Sequence, residues 1–327
     1  MAKKKKDSNI INQNSKDLKL EELPGIGVAT LKKLKDSGIL SIRALALYPI
    51  LKLMADSGLG EKTSSNLIKI AQDVEKMGFK SAEIIWEKRR ALKKLTTGSN
   101  NLDDLLGGGI EPGSVTEFYG EYRTGKTQVA HQLCVNVQTS YELGGLEGNA
   151  LYIDTEGTFR PERIINMAEA KDLDYNKVLQ NIVVGRAYNS DHQILLTKES
   201  SKLIKEKNIK LIVVDSIITH FRSEYIGRGT LSKRQQILNS YIHDLLRLCE
   251  SYDELAVIFT NQVSSKPDVF YGNPIIHTGG NIIAHGSTIR IFLRKGKGEQ
   301  RVAKVVDAPH LPEADAIFSI TDDGIGD

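Results

Sequence analysis

One turn limits what this chain can fold into more than any other stretch. Gly120-Glu121-Tyr122-Arg123-Thr124-Gly125-Lys126-Thr127 satisfies GxxxxGK[ST] at every fixed position. That pattern works as a phosphate cradle only between a strand and a helix. Both are predicted: the apolar run Val115–Tyr119 reads as a strand, and Gln128–Leu133 reads as the opening of a helix. Glycine lets the backbone curl so that successive N–H groups face a phosphate, and the following helix adds the positive end of its dipole. In that setting Lys126 reaches the outer phosphates and the Thr127 hydroxyl ligates Mg²⁺. The alternative, a chance glycine-rich turn, does not account for the strand and helix on either side.

The rest of the chain is built like an ordinary globular protein. Its 327 residues suit one large domain with a small one beside it. Hydrophobic residues make up 40% and charged residues 26%, enough for a sizeable core. The net charge of +3 is too small for a polycation, so any nucleic-acid contact has to come from local basic loops. Cys134 and Cys249 sit in apolar helical patterns and read as reduced core residues of an intracellular protein, with no disulfide or metal role. The lysines at 3–6 precede no apolar stretch, so no signal peptide is expected, and nothing approaches the roughly 18 apolar residues of a membrane span.

Residues 1–17 read as a disordered basic tail, either simply solvated or touching nucleic acid. Residues 18–76 read as a small all-α domain. Leu23-Pro24-Gly25-Ile26-Gly27 leads into the helical run Val28–Leu34, and Ser57-Gly58-Leu59-Gly60 leads into Lys62–Ile68. Two helix, Gly-apolar-Gly, helix units suggest a helix-hairpin-helix pair. Its turn amides either hold a DNA phosphate without reading bases or only support packing against protein. Residues 77–97 connect this domain to the next. Phe79 there is either satellite core or a plug for a neighbouring subunit.

Residues 98–327 alternate short β-branched runs with helical stretches. Ala150–Ile153, Ile182–Val184, Leu211–Val214 and Ala256–Phe259 imply a mainly parallel sheet covered on both faces, an α/β fold. Thr288–Phe292 and Arg301–Val305, parted by Gly296-Lys297-Gly298, predict an antiparallel hairpin that extends it.

Ligands of an open parallel sheet sit beyond the C-terminal strand ends. Asp215 ends one such run, as a Walker B aspartate does, where a carboxylate holds Mg²⁺. Another run ends in Asp154-Thr155-Glu156. Glu156 is the preferred general base for activating water, with Asp154 as its competitor. A third ends at Thr260-Asn261-Gln262, where a neutral amide suits a γ-phosphate sensor. Two stretches follow the sensor-side strands. Phe221–Gly229, continuing to Lys233 and Arg234, mixes arginine, glycine and tyrosine, and Ser264–Asn281 is long and rich in Gly, Pro and Asn. Basic, aromatic, flexible loops suit single-stranded nucleic acid, and ordinary surface loops are the equal alternative on composition alone.

Taken in order, the helix-hairpin-helix region, GEYRTGKT, YIDTEGTFRPER, LIVVDS, FRSEYIGRG, TNQV, GGNIIAH and LRKGKGEQR resemble the RecA-type recombinases, in archaeal RadA and eukaryotic branches alike. The likeness runs from about residue 20 to residue 327. It implies a RecA-like P-loop ATPase core and an ATP-dependent recombinase, one that polymerises on single-stranded DNA and promotes homologous pairing and strand exchange in double-strand break repair. It further implies that Gly120, Glu121, Tyr122, Arg123, Thr124, Gly125, Lys126, Thr127 and Gln128 line the ATP phosphates, and that Arg163 stacks on adenine. Glu156, Lys126 and Gln262 carry the catalysis, and Thr127 and Asp215 attend Mg²⁺. Arg222, Tyr225, Arg228 and Arg234 fall in a first DNA loop, and Lys266, Phe270, Gly280 and Asn281 in a second. Phe79 and Ala82 match the polymerisation motif. Asp307, Pro309, Leu311 and Pro312 match a segment that covers ATP bound to a neighbour, although Ala308 stands where relatives usually carry serine.

Implied partners are single-stranded DNA, homologous duplex DNA, further copies in a helical filament or ring, and mediator proteins, in a cytoplasmic, nucleoid-associated setting without membrane. Two rivals share the P-loop: an ATP-binding paralogue that only caps or loads filaments, and a ring-forming helicase of the same core fold. Glu156, both loops and the Phe79 motif speak against the first. The hairpin domain and Gly280-Asn281 speak against the second.

Overall fold

The computed structural model describes residues 18–265, 275–277 and 280–327. The basic tail expected at 1–17 lies outside them. The chain forms two compact units, one ending at Ala91 and one running Leu92–Asp327. The stretch 77–97 read as a connector is divided between them. From Leu92 onward it goes with the second unit, where Leu95 is fully buried and exchanges backbone hydrogen bonds of 2.9 and 2.8 Å with Ile110.

The first unit holds helices α1 (Val28–Asp36), α2 (Ile42–Ala46), α3 (Ile50–Ser57), α4 (Glu61–Val74) and α5 (Ala82–Arg90). Leu67, Ile68, Ala71 and Val74 recur at helical spacing on α4 and meet Leu34, Ile39, Leu45 and Leu53 in one core. Gly58 closes α3 in the left-handed region at φ +63, a conformation that favours glycine. The expected hairpin pair is present. Gly27 opens α1 and Gly60 opens α4, and neither offers a side chain to the first-turn amides. The two copies differ in charge: α4 begins with Glu61, whereas the first turn of α1 carries no acid.

The second unit is an α/β fold. After α6 (Asn100–Leu105), β1 (Val115–Gly120) leads through the P-loop into α7 (Lys126–Asn136). Strands β2 (Asn149–Asp154), β3 (Ile182–Arg186), β4 (Ile209–Asp215) and β5 (Ala256–Ser265) follow. They are joined by α8 (Pro161–Glu169), α9 (Tyr175–Gln180), α10 (Ser190–Glu206), α11 (Thr219–Glu224) and α12 (Leu231–Ser251). Next come β6 (Ile275–His277), α13 (Gly280–Gly286), β7 (Ile289–Lys295), β8 (Gln300–Asp307), β9 (Asp315–Thr321) and β10 (Gly324–Gly326). The sheet runs β10-β9-β8-β7-β1-β5-β4-β2-β3, parallel from β7 to β3 and antiparallel from β7 to β10.

Alternate side chains of the central strands enter opposite cores, which is why those strands read as unbroken apolar runs. On β4, Leu211 and Val213 pack under α7 and α8, while Ile212 and Val214 pack with residues of α10 and α12. The expected hairpin of β7 and β8 extends the sheet, and β9 and β10 extend it further. β5 does not stop at Gln262. It runs on to Ser265 and pairs with β6. Among the described residues no helix is long and apolar enough to cross a membrane.

One ionic pair lies inside this sheet. Glu117 on β1 and Arg290 on β7 are register partners, both buried, and Arg290 Nε donates to Glu117 Oε2 at 2.6 Å. Asn261 Nδ2 donates to the other carboxylate oxygen at 2.8 Å, and the guanidinium lies 5.1 Å from the Tyr119 ring centre. Burial pushes the Tyr119 hydroxyl up to about 12, so it stays neutral beside the pair. Removing one member strands a buried charge, which costs about 3–5 kcal/mol. Arg290→Met therefore lowers stability by about that amount in urea unfolding followed by circular dichroism, and adding Glu117→Leu recovers part of the loss.

Candidate active site

The C-terminal ends of β1, β4 and β5 open onto a cleft of about 600 Å³ lined by the P-loop, Glu156, Asp215, Ser216, Thr260, Gln262, Arg301 and Ile320. The loop owes its path to its glycines. A Cβ on Gly120 would lie 2.2 Å from the Leu293 carbonyl oxygen, and Gly125 sits at φ +98 with Ile320 against its Cα. No other residue fits either position without displacing the backbone or the wall. Lys126 Nζ is held within the loop by the carbonyls of Gly120 at 3.0 Å and Glu121 at 2.8 Å. Burial pulls its pKa below the usual lysine value, opposed by the charges of Asp215 and Glu156.

Asp215 is the buried carboxylate of the cleft. It accepts hydrogen bonds from Thr127 Oγ1 at 2.8 Å, Tyr152 Oη at 2.6 Å and Thr260 Oγ1. Burial, reinforced by the Asp215 charge, keeps Tyr152 protonated and donating, with its pKa well above the ordinary phenol value. Thr127 and Asp215 together offer hard oxygen donors, the set that Mg²⁺ takes.

Geometry separates the two competing carboxylates. Asp154 is buried, and its oxygens accept the backbone N–H groups of Glu156, Gly157, Thr158 and Phe159 at 2.7–3.3 Å. Its part is to fold the turn. Glu156 stands exposed on the cleft wall, where Gln262 Nε2 (2.8 Å), Thr219 Oγ1 (2.6 Å) and Ser216 Oγ (3.0 Å) converge on Oε1. An oriented, solvent-facing carboxylate beside a phosphate cradle can activate water.

A second hollow of about 320 Å³ adjoins the loop, lined in part by Gln128, Arg163, Asn166 and Thr321. Arg163 Nε donates to Gln128 Oε1 at 2.5 Å, and its two terminal nitrogens bond the Thr321 and Asp322 carbonyls. Burial lowers its pKa.

The remaining sequence-derived residues scatter. The stretch read as a flexible first loop is largely helical: Arg222 lies exposed on α11, and Arg228 begins a short 3-10 turn before α12. Phe221, fully buried, pins α11 to the core despite the nearby glycines. Tyr225 packs half-buried beneath it, with Lys233 Nζ 6.0 Å from its ring, and Arg234 is half-buried on α12. Lys266 and Phe270 lie outside the described residues. Gly280 and Asn281 open α13. Phe79 belongs to none of the three apolar cores and is wholly exposed beside Ala82, the first residue of α5, so the satellite-core reading fails. Asp307 ends β8, and Pro309 and Pro312 are exposed in the connection to β9, while Leu311 packs against the core.

Sequence reasoning missed Tyr152, Ser216, Thr219, Thr260, Arg301 and Ile320. Lone hydroxyls carry no spacing signal. Arg301 and Ile320 reach the P-loop only because the antiparallel extension folds back over it. The turn after β2 gives a direct test. Asp154→Ala leaves four amides without their acceptor, so hydrogen exchange at 156–159 speeds up by about one to two orders of magnitude while β2 keeps its protection.

Comparison with known proteins gives the family. A sequence model of the Rad51 family matches residues 88–327, and one for SAM-like helix-hairpin-helix tandems matches residues 17–73. A DNA repair and recombination protein RadA from Metallosphaera sedula is 50% identical over 309 residues, spanning 94% of this chain and 95% of that protein.

Proposed function

The chain belongs to the Rad51 family of DNA recombinases and DNA-dependent ATPases, and from that premise we propose that it polymerises on single-stranded DNA with ATP at the seam between protomers. There it pairs the bound strand with a homologous duplex. The observation that carries this reading is the bond from Gln262 to Glu156 inside the P-loop cleft. It joins a water-activating carboxylate to the strand that runs on toward the second DNA stretch.

In this reading the P-loop amides and Lys126 receive the phosphates, and Arg163 with Gln128 bounds the base. The Glu156 carboxylate orients water and takes up its proton in line with the γ-phosphate. Thr127 and Asp215 would hold Mg²⁺, which neutralises charge on the β- and γ-oxygens when bound. Gln262 registers the γ-phosphate and passes its presence along β5. Arg222, Tyr225, Arg228 and Arg234, with Lys266, Phe270, Gly280 and Asn281, grip the single strand through phosphate charge and base stacking. ATP favours the subunit contact and hydrolysis loosens it, so hydrolysis drives turnover while base pairing drives exchange. Phe79 and Ala82 plug a neighbour's core, and Asp307, Pro309, Leu311 and Pro312 cover the neighbour's ATP. α1, whose first turn lacks an acid, is the better of the two hairpin helices for a DNA phosphate. Mediator proteins and a cytoplasmic, nucleoid-associated setting complete the reading.

Strand exchange between a circular single strand and a homologous duplex tests it. Wild type requires ATP and Lys126→Ala gives no product. Glu156→Gln still assembles with ATP, but its kcat falls about a hundredfold or more. Exchange without nucleotide would sink the proposal. The exposed aromatic yields a separate test. Phe79→Glu gives monomers by light scattering that still bind nucleotide, and an unchanged mass excludes the plug.

A further inference from the structure

The residues assigned to ATP leave a buried imidazole beneath them unexplained. His131 lies on α7 one helical turn after Thr127 and is 1% exposed. Its Nε2 accepts the backbone N–H of Arg160 at 3.1 Å, so that nitrogen carries a lone pair. The proton therefore sits on Nδ1, which donates to the Thr127 carbonyl at 2.6 Å. The ring stacks on Phe159 at 5.2 Å between centres and tilts against Tyr152 at 5.5 Å. Tyr152 in turn donates to Asp215. Both nitrogens, then, are used, and each holds a different backbone segment.

Those two segments are the parts of the cleft that have to keep a fixed separation. Thr127 belongs to the phosphate loop. Arg160 ends the turn that begins at Asp154 and carries Glu156, and it is also the N-cap of α8, which carries Arg163. Neither segment is bonded to the other through the sheet, because β4 and β5 lie between β1 and β2. A rigid ring with one donor and one acceptor at fixed positions suits a spacer between them.

We propose that His131 is a positioning residue that fixes the Glu156 turn relative to the phosphate loop, through the hydrogen bonds of its two ring nitrogens. The proposal rests on the roles given above to Glu156 and the P-loop. It assigns His131 no contact with ATP.

Three variants of the full-length protein separate the two bonds. His131→Phe keeps the aromatic contacts and loses both bonds. His131→Asn keeps a donor near the Nδ1 position and loses the acceptor. His131→Gln places an acceptor oxygen near the Nε2 position. Steady-state ATP hydrolysis with saturating single-stranded DNA is expected to show kcat reduced about tenfold or more in the Phe and Asn variants, since small misplacement of a reacting group has effects of this size or larger. The Gln variant stays within about threefold of wild type, and KM for ATP moves by less than about threefold in the Gln and Asn variants. Hydrogen exchange at 157–160 rises with Phe and Asn but not with Gln.

A folded Phe variant with wild-type kcat overturns the proposal. If that variant fails to fold, the Asn and Gln pair decides, and equal impairment of the two overturns it as well. Lys126→Ala and Glu156→Gln run beside them as controls. Should those two keep hydrolysing ATP, the site assignment itself falls. Should they fail while the Phe variant is unaffected, only the role of His131 falls.

Discussion

Asp215 is an anion inside the protein, and the site depends on how it is accommodated. A carboxylate out of water is costly unless hydrogen bonds replace its hydration. Here hydroxyls do so, from Thr127 on α7, Tyr152 on β2 and Thr260 on β5, while Asp215 itself ends β4. One side chain thereby ties four elements together at the mouth of the sheet. Each of these three donors is neutral, so the nearest opposite charge is that of Lys126 in the phosphate loop. A salt bridge in their place would have cancelled the field that attracts a divalent cation.

What was legible in the sequence was what is local in it. The P-loop, the Asp215 strand end and Glu156 each announce themselves within about eight residues, and the parallel strands show as apolar runs because both their faces are covered. The sequence already favoured Glu156 over Asp154, but the physical reason needed coordinates, since only the fold turns Asp154 inward upon four amides. The polar contacts of the cleft join residues as many as 106 positions apart, and single threonines and tyrosines leave no periodic trace. Phe221–Gly229 was legible only in part: buried Phe221 sits in a helix that runs to Glu224, while Tyr225–Gly227 leave it and Gly227 takes φ +86. The Glu117–Arg290 pair was equally hidden, because a charged residue inside an apolar run reads as an exception until its partner on β7 is seen beside it.

β5 links the cleft to the stretch proposed above to bind the single strand. Its first half is core, with Val257 and Phe259 on one face and Ala256 and Ile258 on the other. Its middle carries Thr260, Asn261 and Gln262, which bond Asp215, Glu117 and Glu156 in turn. Its end pairs with β6.

If the uncovered ring of Phe79 is the knob proposed above, it sets the kind of contact by which copies would join. A knob on one face and a socket on a different face make a head-to-tail contact, which need not close on itself. Chains joined in this way have two unlike tips, one offering a knob and the other a socket. Growth and trimming can then be governed separately at each tip.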